Sequence, residues 1–157
     1  MQRKILVVDD QPILRETLKN FLSRQNYSVL LAGNAEEALK ILSKAKVDVM
    51  LVDQVMPGMS GTELLAIVRE DYPETIRIIL TGHATLNDAI DAINKGEVHR
   101  FFTKPCKIEE LVQTIEELIR LQQGKKADRL MQSMEKQHPG ITKIKQDSDG
   151  RIIIEDD

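Results

Sequence analysis

Three aspartates stand directly after two largely apolar runs, and their placement suggests metal chemistry. Residues 5–8 lead into Asp9 and Asp10, and residues 47–52 lead into Asp53. If both runs are buried strands of one parallel sheet, their carboxyl ends lie side by side and the carboxylates crowd one edge. Like charges that close together need a cation, and an all-oxygen cluster with room for water suits Mg²⁺.

A hydroxyl and an ammonium group follow two further short runs. Residues 78–80 lead into Thr81, and residues 101–103 lead into Lys104. Taken singly, an aspartate or a threonine at a strand end is usually a cap, and a lysine is usually a solvated charge. Together, four strand ends deliver three acids, a hydroxyl and an ammonium group to one place. That set can hold a metal and handle a phosphoryl group.

The composition fits one ordinary domain with a short appendage. The chain has 157 residues, 41% hydrophobic content and a formal charge of −3, which gives no general attraction to nucleic acid or anionic lipid. A single cysteine, Cys106, rules out an intramolecular disulfide. The start has no signal-peptide core, and no run approaches the ~20 residues of a membrane span. We therefore expect a cytoplasmic protein that contacts neither membrane nor nucleic acid directly.

Short apolar runs alternate with segments of helical period, which predicts repeated βα units and an α/β fold. The helices have recognisable start signals, such as Pro12 in the first, Asn34 in the second, and Ser60 or Gly61 in the third. Five units in about 120 residues predict a doubly wound, five-stranded parallel sheet. The expected strands are 4–8, 28–32, 48–52, 77–80 and 100–103, and the fourth helix is expected at Leu86–Asn94.

Residues 123–157 have a different character and predict a C-terminal extension. Residues 125–137 are polar and compatible with a helix that continues the fifth one. Residues 141–146 and 151–154 are rich in isoleucine and are separated by an Asp/Gly-containing segment, which predicts a β-hairpin. Because exposed isoleucines are unfavourable, we expect the hairpin to dock on the first domain, on a second subunit or on a partner. A homodimer is the preferred arrangement.

Four short motifs stand at the expected strand ends. They are Val8-Asp9-Asp10, Asp53 followed by Met56-Pro57-Gly58-Met59-Ser60-Gly61, Thr81-Gly82, and Lys104-Pro105. In this order and placement they resemble a response-regulator receiver domain over residues 1–122. The resemblance implies a flavodoxin-like fold and a two-component switch. Such a domain accepts a phosphoryl group from a sensor histidine kinase or a phosphotransfer protein.

The resemblance also assigns a role to each acid. Asp53 is expected to be the phosphoacceptor, which attacks the phosphorus of a phosphohistidine. A carboxylate is a weak nucleophile, but phosphoryl transfer needs mainly positioning and charge neutralisation. Asp10 and Asp53 are expected to bind Mg²⁺ directly together with the backbone carbonyl of Val55, while Asp9 holds a metal-bound water. Mn²⁺ is an expected substitute.

Three further residues are assigned by resemblance to the phosphoryl group and the switch. Lys104 is expected to pair with the phosphoryl oxygens, and Thr81 to move towards them, leaving space for Phe101. The changed surface would comprise the fourth helix, the fifth strand and the fifth helix, and would control a partner or dimerisation. Although only ~5–6% of X-Pro bonds are cis, the bond between Lys104 and Pro105 is expected to be cis, as in the family.

Two positions are expected to tune the lifetime of the phosphorylated state. Val55 and His83 each lie two residues beyond a site residue, Asp53 and Thr81 respectively. In the family these positions flank the path of the water that hydrolyses the acyl phosphate. Val55 is apolar and cannot orient that water, which favours slow self-hydrolysis. His83 either shields the path or assists the water, and the sequence leaves both roles open.

Two other classes of protein compete with this interpretation. A magnesium-dependent phosphotransferase or phosphatase of the haloacid-dehalogenase type carries a second aspartate two residues after its nucleophile, where this chain has Val55. A nucleotide-binding domain needs a glycine-rich turn after the first strand, where this chain has Asp9-Asp10-Gln11-Pro12. We therefore expect a signalling switch, with self-phosphorylation and autodephosphorylation chemistry only. It would control a downstream protein target or output domain, either alone or within a larger regulator.

Overall fold

The computed structural model describes residues 2–137, 144–146 and 152–154. Five strands form one sheet: β1 Lys4–Val8, β2 Ser28–Ala32, β3 Val49–Asp53, β4 Ile76–Thr81 and β5 Arg100–Thr103. All neighbouring strands in this sheet are parallel, and their order is β2-β1-β3-β4-β5. The chain therefore winds outwards in both directions from the centre, which confirms the predicted doubly wound α/β fold.

The two strands that carry Asp53 and Thr81 extend further than the sequence indicated. β3 ends at Asp53 and not at Val52, and β4 ends at Thr81 and not at Leu80. The ladder continues because Asp53 lies opposite Leu80, and Thr81 lies opposite Thr103, in parallel register. Both side chains are therefore held at fixed points of the sheet edge and do not belong to the loops that follow.

Five helices connect or follow these strands. They are α1 Pro12–Arg24, α2 Ala35–Lys44, α3 Gly61–Asp71, α4 Leu86–Asn94 and α5 Ile108–Gln137. The predicted start signals are used: the Asn34 side chain accepts the Glu37 N–H (2.9 Å), and the Ser60 hydroxyl accepts the Glu63 N–H (3.2 Å). Ser60, and not Gly61, is therefore the cap of α3. No helix in the described residues is long and apolar enough to cross a membrane.

The core on one face of the sheet joins β1, β3 and β4 to α2, α3 and α4. Alternate strand residues supply the sheet side of this core because successive side chains point to opposite faces. They are Leu6 and Val8 from β1, Met50 and Val52 from β3, and Ile79 from β4. The intervening residues of β1 and β3 are also fully buried. Strands β1 and β3 are thus buried on both faces of the sheet. Charged side chains can therefore be placed only at the ends of these strands.

The chain divides into two compact units, residues 1–111 and 112–157. The division falls within α5, and the boundary that the sequence indicated near residue 122 stays a prediction. The second unit contains most of α5 and two antiparallel strands, β6 Ile144–Gln146 and β7 Ile152–Ile154. This pairing confirms the strands of the predicted hairpin, whereas its turn at residues 147–150 lies outside the described residues.

Gly61 allows the first turn of α3 to pack directly on the end of β3. A Cβ atom at this position would lie 2.5 Å from the Asp53 carbonyl oxygen and 2.9 Å from the Gln54 Cα atom. Both neighbours are backbone atoms: Asp53 is the last residue of β3, and the Gln54 N–H is bonded to the Leu80 carbonyl on β4. They therefore cannot move aside cheaply. Any larger residue here pushes α3 away from the strand that carries Asp53.

We therefore expect Gly61→Ala to lower the free energy of unfolding by about 1–3 kcal/mol, the usual cost of overpacking. Gly82→Ala is the matched control, because a Cβ atom at Gly82 meets nothing within 4 Å. Its stability should stay within about 0.5 kcal/mol of wild type. Urea denaturation followed by circular dichroism measures both. Equal stabilities of the two variants would show that the close packing at Gly61 is not required.

Candidate functional site

Three carboxylates lie together at the carboxyl edge of the sheet, after β1 and at the end of β3. Asp9 and Asp53 are buried, with 1% and 6% of their surface exposed, whereas Asp10 is exposed. One oxygen from each of the three lies within 4.8 Å of the others. The parallel topology thus brings these residues together, as their positions after apolar runs indicated.

Lys104 joins this cluster from the end of β5. Its Nζ atom lies 3.1 Å from Asp53 Oδ1 and 3.4 Å from Asp9 Oδ2. The backbone holds the lysine in place, because the Lys104 N–H donates to the Thr81 carbonyl at 2.9 Å. The peptide bond between Lys104 and Pro105 is cis. One ammonium group is therefore shared between two buried carboxylates that come from different strands.

Burial raises the pKa of the Asp53 carboxyl group above its ordinary value. The hydrogen bond and the charge of Lys104 act against this rise, the charge of Asp9 adds to it, and a hydrogen bond from the Val55 backbone acts against it. Burial by itself lowers the pKa of Lys104, but its contacts with Asp53 and Asp9 outweigh that effect, so its pKa is raised. The lysine is therefore held charged, while the carboxylates remain short of compensating charge.

Asp9 already uses both of its side-chain oxygens. Asp9 Oδ1 accepts the Gln11 N–H at 2.8 Å, and Asp9 Oδ2 faces Lys104. Arg15, which sequence reasoning missed, donates to the Asp9 backbone carbonyl at 2.7 Å. This contact adds a second cation near the cluster, and no local sequence signal indicated it. Asp10 is the most accessible of the three acids.

The hydrogen bonds of the Thr81 hydroxyl are made with the segment that leads into α4. It hydrogen bonds with the Thr85 hydroxyl and lies 3.2 Å from the Gly82 carbonyl oxygen. Thr85 is the N-cap residue of α4, yet its side chain makes no capping bond to that helix. Sequence reasoning missed Thr85, because a threonine four residues after a strand end carries no signal of its own.

Val55 lies in the loop after β3, two residues beyond Asp53. Its side chain is 63% exposed, and its backbone N–H lowers the pKa of the Asp53 carboxyl group. Phe101 on β5 is partly buried and packs against the core that α2, α3 and α4 share. His83 begins a short 3-10 turn, and its side chain lies outside the described residues. The expected roles of these three residues in lifetime and switching stay predictions.

The donor chemistry fits a small divalent cation. The cluster offers carboxylate oxygens from Asp9, Asp10 and Asp53, and such hard oxygen donors suit Mg²⁺. Lys104 and Arg15 bring two positive charges to three acids, which leaves net negative charge that a divalent ion can neutralise. Because Asp10 and Val55 are exposed, an ion with bound water has access to the cluster.

The sequence model of the response regulator receiver domain matches residues 5–116. The chain belongs to this family. The receiver domain is 38% identical over 121 residues to the hydrogenase transcriptional regulatory protein HoxA of Bradyrhizobium diazoefficiens, across 77% of this chain and 25% of that protein. It is 36% identical over 115 residues to the transcriptional regulatory protein GlrR of Escherichia coli, across 73% of this chain and 26% of that protein. The chain thus spans about a quarter of the length of these curated relatives.

Solved structures show the same fold. The signal receiver domain of an HD domain-containing protein from Pseudomonas fluorescens has a TM-score of 0.74 and 34% identity, with 78% of this chain and 98% of that chain covered. A chain described as an adenylate cyclase from Rhodopirellula baltica has a TM-score of 0.73 and 34% identity, with 88% and 99% covered. Members of the receiver family are signalling switches in two-component systems and generally bind Mg²⁺ through an acidic pocket.

The electrostatics of the receiver site predict a pH-dependent gain in stability when Asp53 is neutralised. Since the folded state raises the pKa of Asp53, ionisation of this group opposes folding. This loss of stability is absent at pH values below the ordinary carboxyl pKa of about 3.9. It reaches its full size at pH values above the raised pKa of Asp53 in the folded state. In metal-free buffer we expect Asp53→Asn to be more stable than wild type at pH 7, with the difference falling towards zero at acid pH. Urea denaturation across that range measures it, and a variant less stable at pH 7 would contradict the charge balance described here.

Proposed function

We propose that Asp53 is the phosphoacceptor of this receiver domain. An Asp53 oxygen attacks the phosphorus of a phosphohistidine on a sensor kinase or a phosphotransfer protein. The P–O bond forms as the P–N bond breaks, and the histidine nitrogen leaves with the electron pair. The observation that carries the proposal is the contact of 3.1 Å between Lys104 Nζ and Asp53 Oδ1, beside two more carboxylates. This is a nucleophile with its charge-neutralising partner already in place.

Asp10, Asp53 and the Val55 carbonyl are the proposed direct ligands of Mg²⁺, with Mn²⁺ as a substitute. When bound, the ion neutralises charge that develops on the phosphoryl oxygens. Asp9 is proposed to hold a metal-bound water, and its occupied oxygens support that less direct role. The exposure of Asp10 supports its role as a direct ligand. Lys104 exchanges its carboxylate contacts for contacts with the phosphoryl oxygens, which needs little movement of the side chain.

The receiver should gain one phosphoryl group when it is incubated with Mg²⁺ and acetyl phosphate, as detected by intact-protein mass spectrometry. Asp53→Asn should abolish this gain, because it removes the nucleophilic oxygen. Asp48→Asn is the matched control: Asp48 precedes β3 at the opposite edge of the sheet, where its carboxylate accepts the Lys4 N–H at 2.8 Å. That variant should be labelled like wild type. Labelling of Asp53→Asn at a comparable rate would exclude Asp53 as the acceptor.

The proposed switch begins with the Thr81 hydroxyl. In this structure it hydrogen bonds to Thr85, at the cap of α4, and not to the acid cluster. A phosphoryl group on Asp53 offers a charged acceptor, and such hydrogen bonds are roughly twice as strong as neutral ones. Thr81 then turns towards it, Phe101 moves into the vacated space, and α4 and β5 change their exposed surface. The release of the Thr85 hydroxyl loosens the start of α4.

Thr85→Val should shift this equilibrium without any phosphodonor, because valine keeps the shape but cannot bond to Thr81. One neutral hydrogen bond contributes about 0.5–1.5 kcal/mol, which corresponds to a population shift of roughly two- to tenfold. Amide NMR shifts of residues 86–94 and 100–103 should move towards their positions in the beryllofluoride-bound wild type. Thr85→Ser keeps the hydroxyl and should resemble free wild type. Changes confined to the immediate neighbours of residue 85 in both variants would refute the proposed role of this bond.

The receiver is proposed to act on a downstream protein target or output domain and to have no metabolic substrate. Its curated relatives are named as transcriptional regulators and are longer than this chain, so the output is proposed by analogy with them. Val55 stands where a haloacid-dehalogenase-type enzyme carries its second aspartate, which argues against a phosphatase. The C-terminal extension, residues 123–157, remains the proposed contact for a homodimer, because its isoleucine-rich strands favour burial.

A further inference from the structure

Gln54 is a buried polar residue between the phosphoacceptor strand and α3, and only 5% of its surface is exposed. Its backbone N–H donates to the Leu80 carbonyl on β4 at 2.9 Å, and its backbone carbonyl accepts the Gly61 N–H at 3.0 Å. Its side-chain oxygen accepts the Thr62 N–H at 2.8 Å, and its side-chain nitrogen lies 3.2 Å from the Thr62 hydroxyl. One residue therefore ties β3 both to β4 and to the first turn of α3.

The side chain of Gln54 accepts a hydrogen bond from the first turn of α3. The first three N–H groups of a helix have no partner inside it. Here the Gly61 and Thr62 N–H groups bond to Gln54, and the Glu63 N–H bonds to the Ser60 hydroxyl. Because a buried amide left without partners is costly, the Gln54 side chain is confined to this one orientation.

This confinement bears directly on the acid cluster. Gln54 lies between Asp53 and Val55 in the chain, and the Val55 backbone N–H lowers the pKa of the Asp53 carboxyl group. The Val55 side chain is 63% exposed and cannot anchor its own peptide group. The Val55 peptide group is therefore held in place through Gln54, the residue before it. A change in the Gln54 orientation alters the Val55 N–H and carbonyl together.

We propose that Gln54 is a positioning residue for phosphoryl transfer: its bonds to β4 and to the start of α3 fix the Val55 peptide group beside Asp53, so that the Val55 carbonyl is available to the metal ion. The proposal rests on the proposed function, because the Val55 carbonyl matters only if Asp53 is a metal-dependent acceptor. The competing role is that of an ordinary helix cap, which would affect the stability of α3 and nothing else.

The test compares Gln54→Met, which keeps the length of the side chain but loses its hydrogen bonds, with Asn34→Ala. Asn34 caps α2 through a hydrogen bond of the same kind, in which its side-chain oxygen accepts the Glu37 N–H at 2.9 Å. Both variants therefore lose a helix-start interaction. Two quantities are measured on each folded protein. They are the Mg²⁺ dissociation constant by calorimetry, and the exchange rate of the Val55 amide proton by NMR in metal-free buffer.

We expect Gln54→Met to weaken Mg²⁺ binding and to speed Val55 amide exchange, each by about fivefold or more, as the loss of one or two hydrogen bonds implies. Asn34→Ala should leave both quantities within about twofold of wild type, although its stability falls. If Gln54→Met matches Asn34→Ala in both quantities, Gln54 is only a cap and the proposal is overturned.

A second variant covers the case in which Gln54→Met does not fold. Thr62→Val removes the hydroxyl partner of the Gln54 side-chain nitrogen and keeps the backbone bond. It should change both quantities in the same direction by a smaller factor, and unchanged values would overturn the proposal. Failure of wild type to bind Mg²⁺ would contradict the proposed function instead, and the metal-free exchange rate would still decide whether Gln54 fixes Val55.

Discussion

The burial of two carboxylates at one edge of the sheet is the constraint on which the site depends. Asp9 and Asp53 lose nearly all of their exposure because they end strands that are apolar on both faces. One ammonium group, that of Lys104, serves both of them. This compensation is incomplete, since burial still raises the pKa of Asp53. The folded chain therefore holds unbalanced negative charge that a divalent cation can neutralise.

The buried acid cluster is also connected by hydrogen bonds to other parts of residues 1–111. The Lys104 N–H bonds to the Thr81 carbonyl, so one backbone contact joins the neutralising lysine to the threonine proposed as the switch residue. Thr81 in turn reaches Thr85 at the start of α4. A change of charge on Asp53 therefore acts on the side chain of Lys104 directly, and the backbone contact with Thr81 connects it to the start of α4. A rigid sheet with adjustable groups at its edge suits a switch better than a catalyst for many substrates.

Much of this arrangement could be predicted from the sequence, because in a parallel sheet the ends of apolar runs converge on one edge. Asp9, Asp10, Asp53, Thr81 and Lys104 all follow such runs, and the structure brings them to one edge. The exact ends of β3 and β4 were not predictable, because ladder pairing with a neighbouring strand, and not local propensity, extends them. Gln54, Thr85 and Arg15 were missed for a related reason. Their partners are chosen by side-chain orientation in the folded chain, and a glutamine, a threonine or an arginine in a polar segment carries no periodic signal.

We propose that a metal ion neutralises the excess charge of the acid cluster and that Asp53 then accepts a phosphoryl group. A crystal structure of the protein with Mg²⁺ and beryllofluoride, a phosphoryl mimic, is the decisive experiment. We expect beryllofluoride on an Asp53 oxygen, and Mg²⁺ on Asp10, Asp53 and the Val55 carbonyl. Lys104 should lie on a fluoride, and the Thr81 hydroxyl should have turned from Thr85. Beryllofluoride or Mg²⁺ bound away from Asp53, with Lys104 still paired to both carboxylates, would show that this proposal is wrong.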